Sequence, residues 1–189
     1  MSVFDRLSEL APERVRPLKR SEYERLVSEG LFDDERIELL DGVIVEMSPQ
    51  DPRHAATVTR LHEALSRAVG SDKIVRAQLP FAASDVSEPE PDLAVVPRRD
   101  YDDAHPESAF LLVEVSNSSL RKDRGLKSDV YARAGVPEYW VVSLGANQVE
   151  VRTEPFEGRY SVTTVARPGD TIRVASLGGV EIAVSDFLR

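Results

Sequence analysis

Glu114 stands inside an otherwise apolar run, Phe110-Leu111-Leu112-Val113-Glu114-Val115. A carboxylate there is costly to bury unless it is paired or bound to a metal. Asp92 follows Pro91 and opens a second apolar run, Leu93 to Val96. Carboxylates at strand ends are well placed to line a cleft, although a plain turn aspartate carries the same signature. Two carboxylates from neighbouring strands can share a hard divalent cation. Magnesium takes oxygen ligands and keeps several waters, and the backbone carbonyl of Val115 could add a ligand. Such an ion polarises a phosphoryl oxygen and acidifies a bound water. Glu114 also admits two plainer readings: a strand whose other face is solvated, or a structural ion pair.

Lys127 is the third group, in the helix expected after the Glu114 strand. Asp123, Lys127 and Tyr131 share a helix face at i, i+4 and i+8. The Asp123–Lys127 order equally suits an ion pair on a helix surface. As a catalytic group, an ammonium could orient a water or stabilise charge developing on phosphorus.

The elements that must position these groups can be read from patterning. Ser21 with Glu24 suggests a capping box, and a helix to about Glu29 that stops at Gly30. Arg36 to Met47 reads as two short strands around Asp41-Gly42, a hairpin-turn pair. Pro49 and Pro52 break the chain. Val58, Leu61, Leu65 and Ala68 give helical spacing over Ala55 to Val69. Strands are predicted at Lys73–Leu79, Asp92–Val96 and Phe110–Val115, the last two apolar enough to be buried on both faces. Ser118 or Ser119 could cap a helix to about Ala134, ended by Gly135 and Pro137. Strands follow at Glu138–Leu144, Gln148–Arg152, Arg159–Val165 and Thr171–Val174. The order implies an α/β domain with a mixed sheet over residues 17–189, preceded by an N-terminal arm at 1–16.

Composition narrows the classes of function. The chain has 189 residues, 41% of them hydrophobic and 30% charged, as a globular domain requires. No apolar run approaches the ~18 residues of a membrane span. The start, MSVFDRLSEL, has no apolar signal core, so a cytoplasmic location is expected. The absence of cysteine excludes disulfides, thiolate metal sites and thiol nucleophiles. The formal charge of −9 argues against strong nonspecific binding to nucleic acid. Basic residues do cluster locally, at Arg121, Lys122, Arg124, Lys127 and Arg133.

The segments IELLDGVIVEMSP, EPEPDLAVV, FLLVEVSNSSLRKD and LKSDVYARAGVPEYWVV, in that order, resemble the Uma-two-type restriction endonuclease family of the PD-(D/E)XK nuclease superfamily. The resemblance implies a restriction-endonuclease-like core, a mixed sheet flanked by helices. It implies that Asp92 and Glu114 are metal ligands, and that Glu38 is an upstream acid completing the site. The superfamily's usual lysine position, two residues after the acid, holds Ser116 here. The resemblance implies that this lysine has migrated to the next helix as Lys127. His54 falls in a matching loop without an implied role; from its type alone it is either a surface or structural histidine or a proton shuttle.

The leading reading is therefore a magnesium-dependent endonuclease, with manganese as an alternative metal, acting on duplex DNA. Asp92, Glu114, Val115 and Glu38 would hold the metal, and Lys127 would act on the water or the transition state. A homodimer would grip both strands, and symmetric dimers are the commonest soluble oligomers. Two rivals stand beside it: a catalytically inactive binding or assembly module on the same fold, and a hydrolase of another phosphodiester.

Overall fold

The computed structural model describes residues 16–189. The expected N-terminal arm therefore lies outside the described residues, apart from Arg16.

A six-stranded sheet runs through the molecule. Its strands are β3 (Lys73–Ala77), β4 (Leu93–Pro97), β5 (Leu111–Ser116), β6 (Glu138–Ser143), β7 (Gln148–Phe156) and β8 (Arg159–Ala166), in spatial order β3-β4-β5-β6-β7-β8. Only the central β5–β6 pair is parallel. A parallel pair needs a crossover, and a helix supplies it here. Two hairpins flank the sheet: β1 (Ile37–Leu40) with β2 (Val43–Glu46), and β9 (Thr171–Val174) with β10 (Val180–Ala183). Helix α1 covers Arg20–Ser28 and α2 covers Pro52–Ala68. The crossover helix α3, residues 120–133, joins Leu120–Lys122, a π-helical stretch Asp123–Lys127, and Ser128–Arg133.

Strand alternation divides the core into two layers. Leu93, Val95, Leu111, Val113, Val115, Trp140 and Val142 pack with Leu61 and Leu65 of α2 and with the β9–β10 hairpin. Their neighbours Ala94, Val96, Leu112, Tyr139 and Val141 pack on the opposite face with Val130 and Tyr131 of α3. Glu114 and Ser116 share the parity of Leu112, so their side chains face α3. Every residue of β5 and β6 is buried, as the unbroken apolar runs predicted.

The described chain departs from the sequence reading in four places. Helix α1 begins at Arg20, so Lys19 rather than Ser21 is its N-cap; Glu22 closes the box by accepting the Lys19 N–H at 2.9 Å. Pro52 does not break the chain but starts α2, where a missing N–H costs nothing, behind the N-cap Asp51. β10 was not anticipated, because Val180–Ala183 is too short to show alternation. Of the strands from Gln148 onward, β7 and β8 extend the main sheet, whereas β9 pairs with β10 in a separate two-stranded sheet.

The β1–β2 turn fixes one wall of the site. Asp41 and Gly42 both have positive φ, 49° and 77°, as a tight two-residue hairpin requires. A Cβ on Gly42 would lie 2.3 Å from Pro17 Cβ, so the close approach also demands glycine. The Asp41 carboxylate accepts from Arg133 of α3 at 2.6 Å. The hairpin that carries Glu38 is thereby tied to the helix that carries Lys127.

Candidate active site

Lys127 is 2% exposed and sits between two acids. Its Nζ lies 2.8 Å from Glu38 Oε2 and 2.8 Å from Glu114 Oε1. The helix-surface ion pair with Asp123 is thus not what Lys127 makes. Asp123 turns instead toward the end of β5, accepting from Ser116 Oγ at 2.7 Å and Ser119 Oγ at 2.5 Å. The π-helical stretch inserts a residue into the helix between these groups, and such bulges recur at functional sites.

Glu114 Oε1 also accepts from Tyr131 Oη at 2.7 Å. Among the described residues, no hydrogen bond engages Glu114 Oε2. Glu38 is fully buried, and Lys122 reaches its Oε1 at 2.7 Å while the Glu90 N–H donates to Oε2 at 3.2 Å. Asp92 Oδ2 accepts from Val115 N–H at 2.8 Å and lies 3.1 Å from His54 Nε2. Its Oδ1 has only a long contact, 3.5 Å from Gln78 Nε2.

A cleft of about 70 Å³ is lined by Asp92, Glu114, Val115, Asp123, Lys122, Lys127 and His54, among others. That is room for a few waters or a hydrated ion. Glu38 does not line it; it lies behind Lys127. The family resemblance implies Glu38 as a fourth member of the site, beside Asp92, Glu114 and Lys127, and the structure does bring it to Lys127. Both of its oxygens are nevertheless occupied by ammonium groups, which leaves it holding lysines rather than facing the cleft.

The electrostatics follow from this arrangement. Burial drives the Glu114 carboxyl above the usual carboxylate range; Lys127 opposes that, and Asp123, Asp92 and Glu38 add to it. Burial works against charge on Lys127, but Glu114 and Glu38 outweigh it and hold the ammonium protonated. Burial likewise works against Glu38, yet Lys127 and Lys122 keep its carboxyl below the usual range. One ammonium divided between two acids cannot satisfy both. Glu38, with a second lysine, takes the larger share, and Glu114 is left short of positive charge. Among the described residues, the four buried carboxylates Glu38, Asp92, Glu114 and Asp123 meet only the two ammonium groups of Lys122 and Lys127.

The Uma2 family profile, described as "Putative restriction endonuclease", matches residues 20–185. This chain belongs to the Uma2 family. A solved structure of similar fold is that of "a putative nuclease belonging to DUF820 from Anabaena variabilis", with a TM-score of 0.73, 15% identity, and coverage of 90% of this chain and 97% of that one. At that identity the likeness speaks for the fold. No curated protein matches the sequence.

In this Uma2 chain, Asp92, Glu114 and Lys127 line one cleft, and Glu38 reaches Lys127 from the hairpin. Sequence reading did not place Lys122 or Asp123 in the site. Lys122 appeared only as one of a basic cluster, and Asp123 only as a partner for Lys127. The basic cluster itself is largely spent inside the protein. Arg124 pairs with Glu150, Arg133 with Asp41, and both lysines with site acids. Arg121 alone of the five has no ion pair among the described residues.

Among the described residues no three His, Asp or Glu side chains are gathered to hold a metal ion. The donor chemistry still suits a hard cation. Asp92 and Glu114 line the same cleft and each keep a lightly engaged oxygen, and the acids outnumber the ammonium groups. Magnesium needs only one or two carboxylates when waters complete its shell. No helix of the described residues is long and apolar enough to cross a membrane.

Proposed function

We propose that this Uma2 protein is a magnesium- or manganese-dependent endonuclease that hydrolyses phosphodiester bonds in duplex DNA. The observation that carries this reading is the buried Lys127 ammonium, held between Glu38 and Glu114 at the floor of a cleft that also presents Asp92 and Asp123. A lysine beside two acids is what hydrolysis at an anionic phosphorus asks for, and a purely structural pair does not need a cleft.

Asp92, Glu114 and the Val115 carbonyl would hold the cation. Bound there, it supplies Lewis-acid activation of a phosphoryl oxygen and a more acidic water. The residues of the chain do the rest. An ammonium has three N–H donors. Glu38 and Glu114 take two from Lys127, which leaves one for a phosphate oxygen or the attacking water. The two acids also fix the direction of that donor, so no reorganisation is needed as charge develops. Tyr131 shares Glu114 Oε1 with Lys127, which leaves the opposite carboxylate oxygen for a cation. Lys122, partly exposed at the cleft wall, adds positive charge where a substrate phosphate would enter.

Plasmid cleavage in magnesium or manganese tests the proposal, comparing the wild type with Asp92→Ala and Lys127→Ala. We expect cleavage that a chelator stops and that both substitutions reduce at least a hundredfold, in line with loss of a preorganised transition-state contact. Equal cleavage by all three proteins would trace the activity to a contaminant and end the reading. The net charge of −9 favours one alternative, a non-catalytic binding module. Calorimetry separates the two, since that module has no reason to bind magnesium.

A further inference from the structure

Asp92 is held by a chain of hydrogen bonds that begins at Val115 on β5 and ends at Asn117, just beyond that strand. Val115 N–H of β5 donates to Asp92 Oδ2 at 2.8 Å. His54 Nε2 lies 3.1 Å from the same oxygen. A carboxylate only accepts, so Nε2 must carry the hydrogen. The His54 backbone N–H donates to Asp51 Oδ1 at 2.8 Å, which is also the N-cap bond of α2. Asn117, two residues beyond Val115, donates from Nδ2 to Asp51 Oδ2 at 2.6 Å. These hydrogen bonds therefore join β5, β4 and the start of α2.

Its geometry has one consequence for Asp92. Both strong donors, Val115 N–H and His54 Nε2–H, fall on Oδ2. Among the described residues, the other oxygen, Oδ1, has the long Gln78 contact alone. His54 is 9% exposed, and its Nδ1 is buried with no partner among the described residues. An imidazole placed so has one engaged atom, and that atom is on Asp92. A purely structural histidine would be expected to satisfy both nitrogens.

We propose that His54, itself held by Asp51 and Asn117, is a positioning residue that fixes the Asp92 carboxylate so that Oδ1 faces a divalent cation in the cleft. The proposal rests on the metal-dependent reading above and assigns His54 a role within it. Groups that orient a metal ligand without touching the metal commonly govern affinity by ten- to a hundredfold.

The test is calorimetric titration of the full chain with magnesium alone, without nucleic acid, for the wild type, His54→Ala, His54→Gln and Asn117→Ala. A Gln amide nitrogen can replace Nε2–H, whereas Ala cannot. We expect His54→Ala to weaken magnesium binding roughly tenfold, and His54→Gln to stay within about threefold of wild type. Asn117 is an exposed side chain, so its loss spares the core; we expect Asn117→Ala to weaken binding about threefold. Wild-type affinity in His54→Ala, or equal loss in His54→Ala and His54→Gln, overturns the proposal while leaving the metal reading in place. If His54→Ala does not fold, unchanged affinity in Asn117→Ala overturns it. No binding by the wild type overturns the metal reading and this proposal with it.

Discussion

The Lys127 ammonium lies 2.8 Å from Glu114 Oε1, joining the middle of the crossover helix to a fully buried central strand of the sheet. Both ends of this pair are out of water, and Glu38 makes it a three-member group. Removing one partner of a buried pair strands a charge and typically costs about 3–5 kcal/mol. Lys127→Met keeps much of the stem volume and removes the ammonium. Lys122 still serves Glu38, and Glu114 can take up a proton, so we expect a loss near 3 kcal/mol, the lower end of that range. Urea unfolding measures it. A loss below about 1 kcal/mol would match an exposed pair and contradict the burial seen here.

How far the sequence could be read differs from residue to residue. Glu114 was legible because a carboxylate in an apolar run demands a partner wherever it folds. Strand alternation then fixed which face it would take. The partner was not legible. Lys127 reaches Glu114 only because α3 crosses over β5, a non-local contact that spacing within the helix cannot report. The i, i+4 spacing pointed to Asp123 instead, since regular helical phase was assumed across a stretch that winds as a π-helix. Glu38 was visible as an acid near a hairpin turn. Its complete burial depends on packing of that hairpin against Lys122 and Lys127, which no local pattern encodes. The boundaries of β4, β5 and α3 followed from apolar runs and from the Gly135–Pro137 stop. The cap of α1 was missed by two residues because Ser21 lies within the first turn that Glu22 closes.

The π-helical stretch offers a sharper test of how the site is assembled. Gly125 lies within it, and a side chain there would meet nothing within 4 Å. Deleting Gly125 should restore regular winding, turning the residues before it by about 100° relative to those after it. Lys122 and Asp123 could then no longer face the cleft together with Lys127. We expect a folded protein, by circular dichroism, whose DNA cleavage falls at least a hundredfold. Retained cleavage would show that the relative phase of Asp123 and Lys127 is unimportant.

Tyr131 donates to the same oxygen of Glu114 that Lys127 engages, at 2.7 Å. Its phenol is held protonated far above the ordinary range by burial first and by Glu114 second, so it acts as a donor at any working pH. Tyr131→Phe removes that single hydrogen bond and keeps the edge-on ring contacts with Phe81 and Tyr139. A hydrogen bond to a charged group contributes about 1.5–3 kcal/mol. We expect destabilisation within that range in urea and a cleavage loss smaller than that of Lys127→Ala. A loss equal to that of Lys127→Ala would move Tyr131 from support of Glu114 into the chemistry itself.

Glu88 lies behind the β1 strand, bridged to Leu39 through both backbone groups, and its side chain is nearly buried. Its Oε2 has no partner among the described residues. Burial, and then the neighbouring Glu24 carboxylate, push its carboxyl up to about 8 from an ordinary 4.5. The folded protein therefore binds this proton more tightly than the unfolded chain does. Between those two values the folded state carries more protons, and stability must fall as pH rises through the window. Glu88→Gln reproduces the neutral side chain at every pH. At pH 8.5 we expect the variant to melt a few degrees above wild type, since ~1 kcal/mol shifts a domain of this size by about 2–4 °C. At pH 4, where Glu88 is protonated in both states, the difference should vanish. Melting curves from pH 4 to 8.5 decide it: an offset that does not change with pH would mean that Glu88 titrates alike in both states, and a variant less stable than wild type at pH 8.5 would mean that Glu88 is charged and paired in the fold.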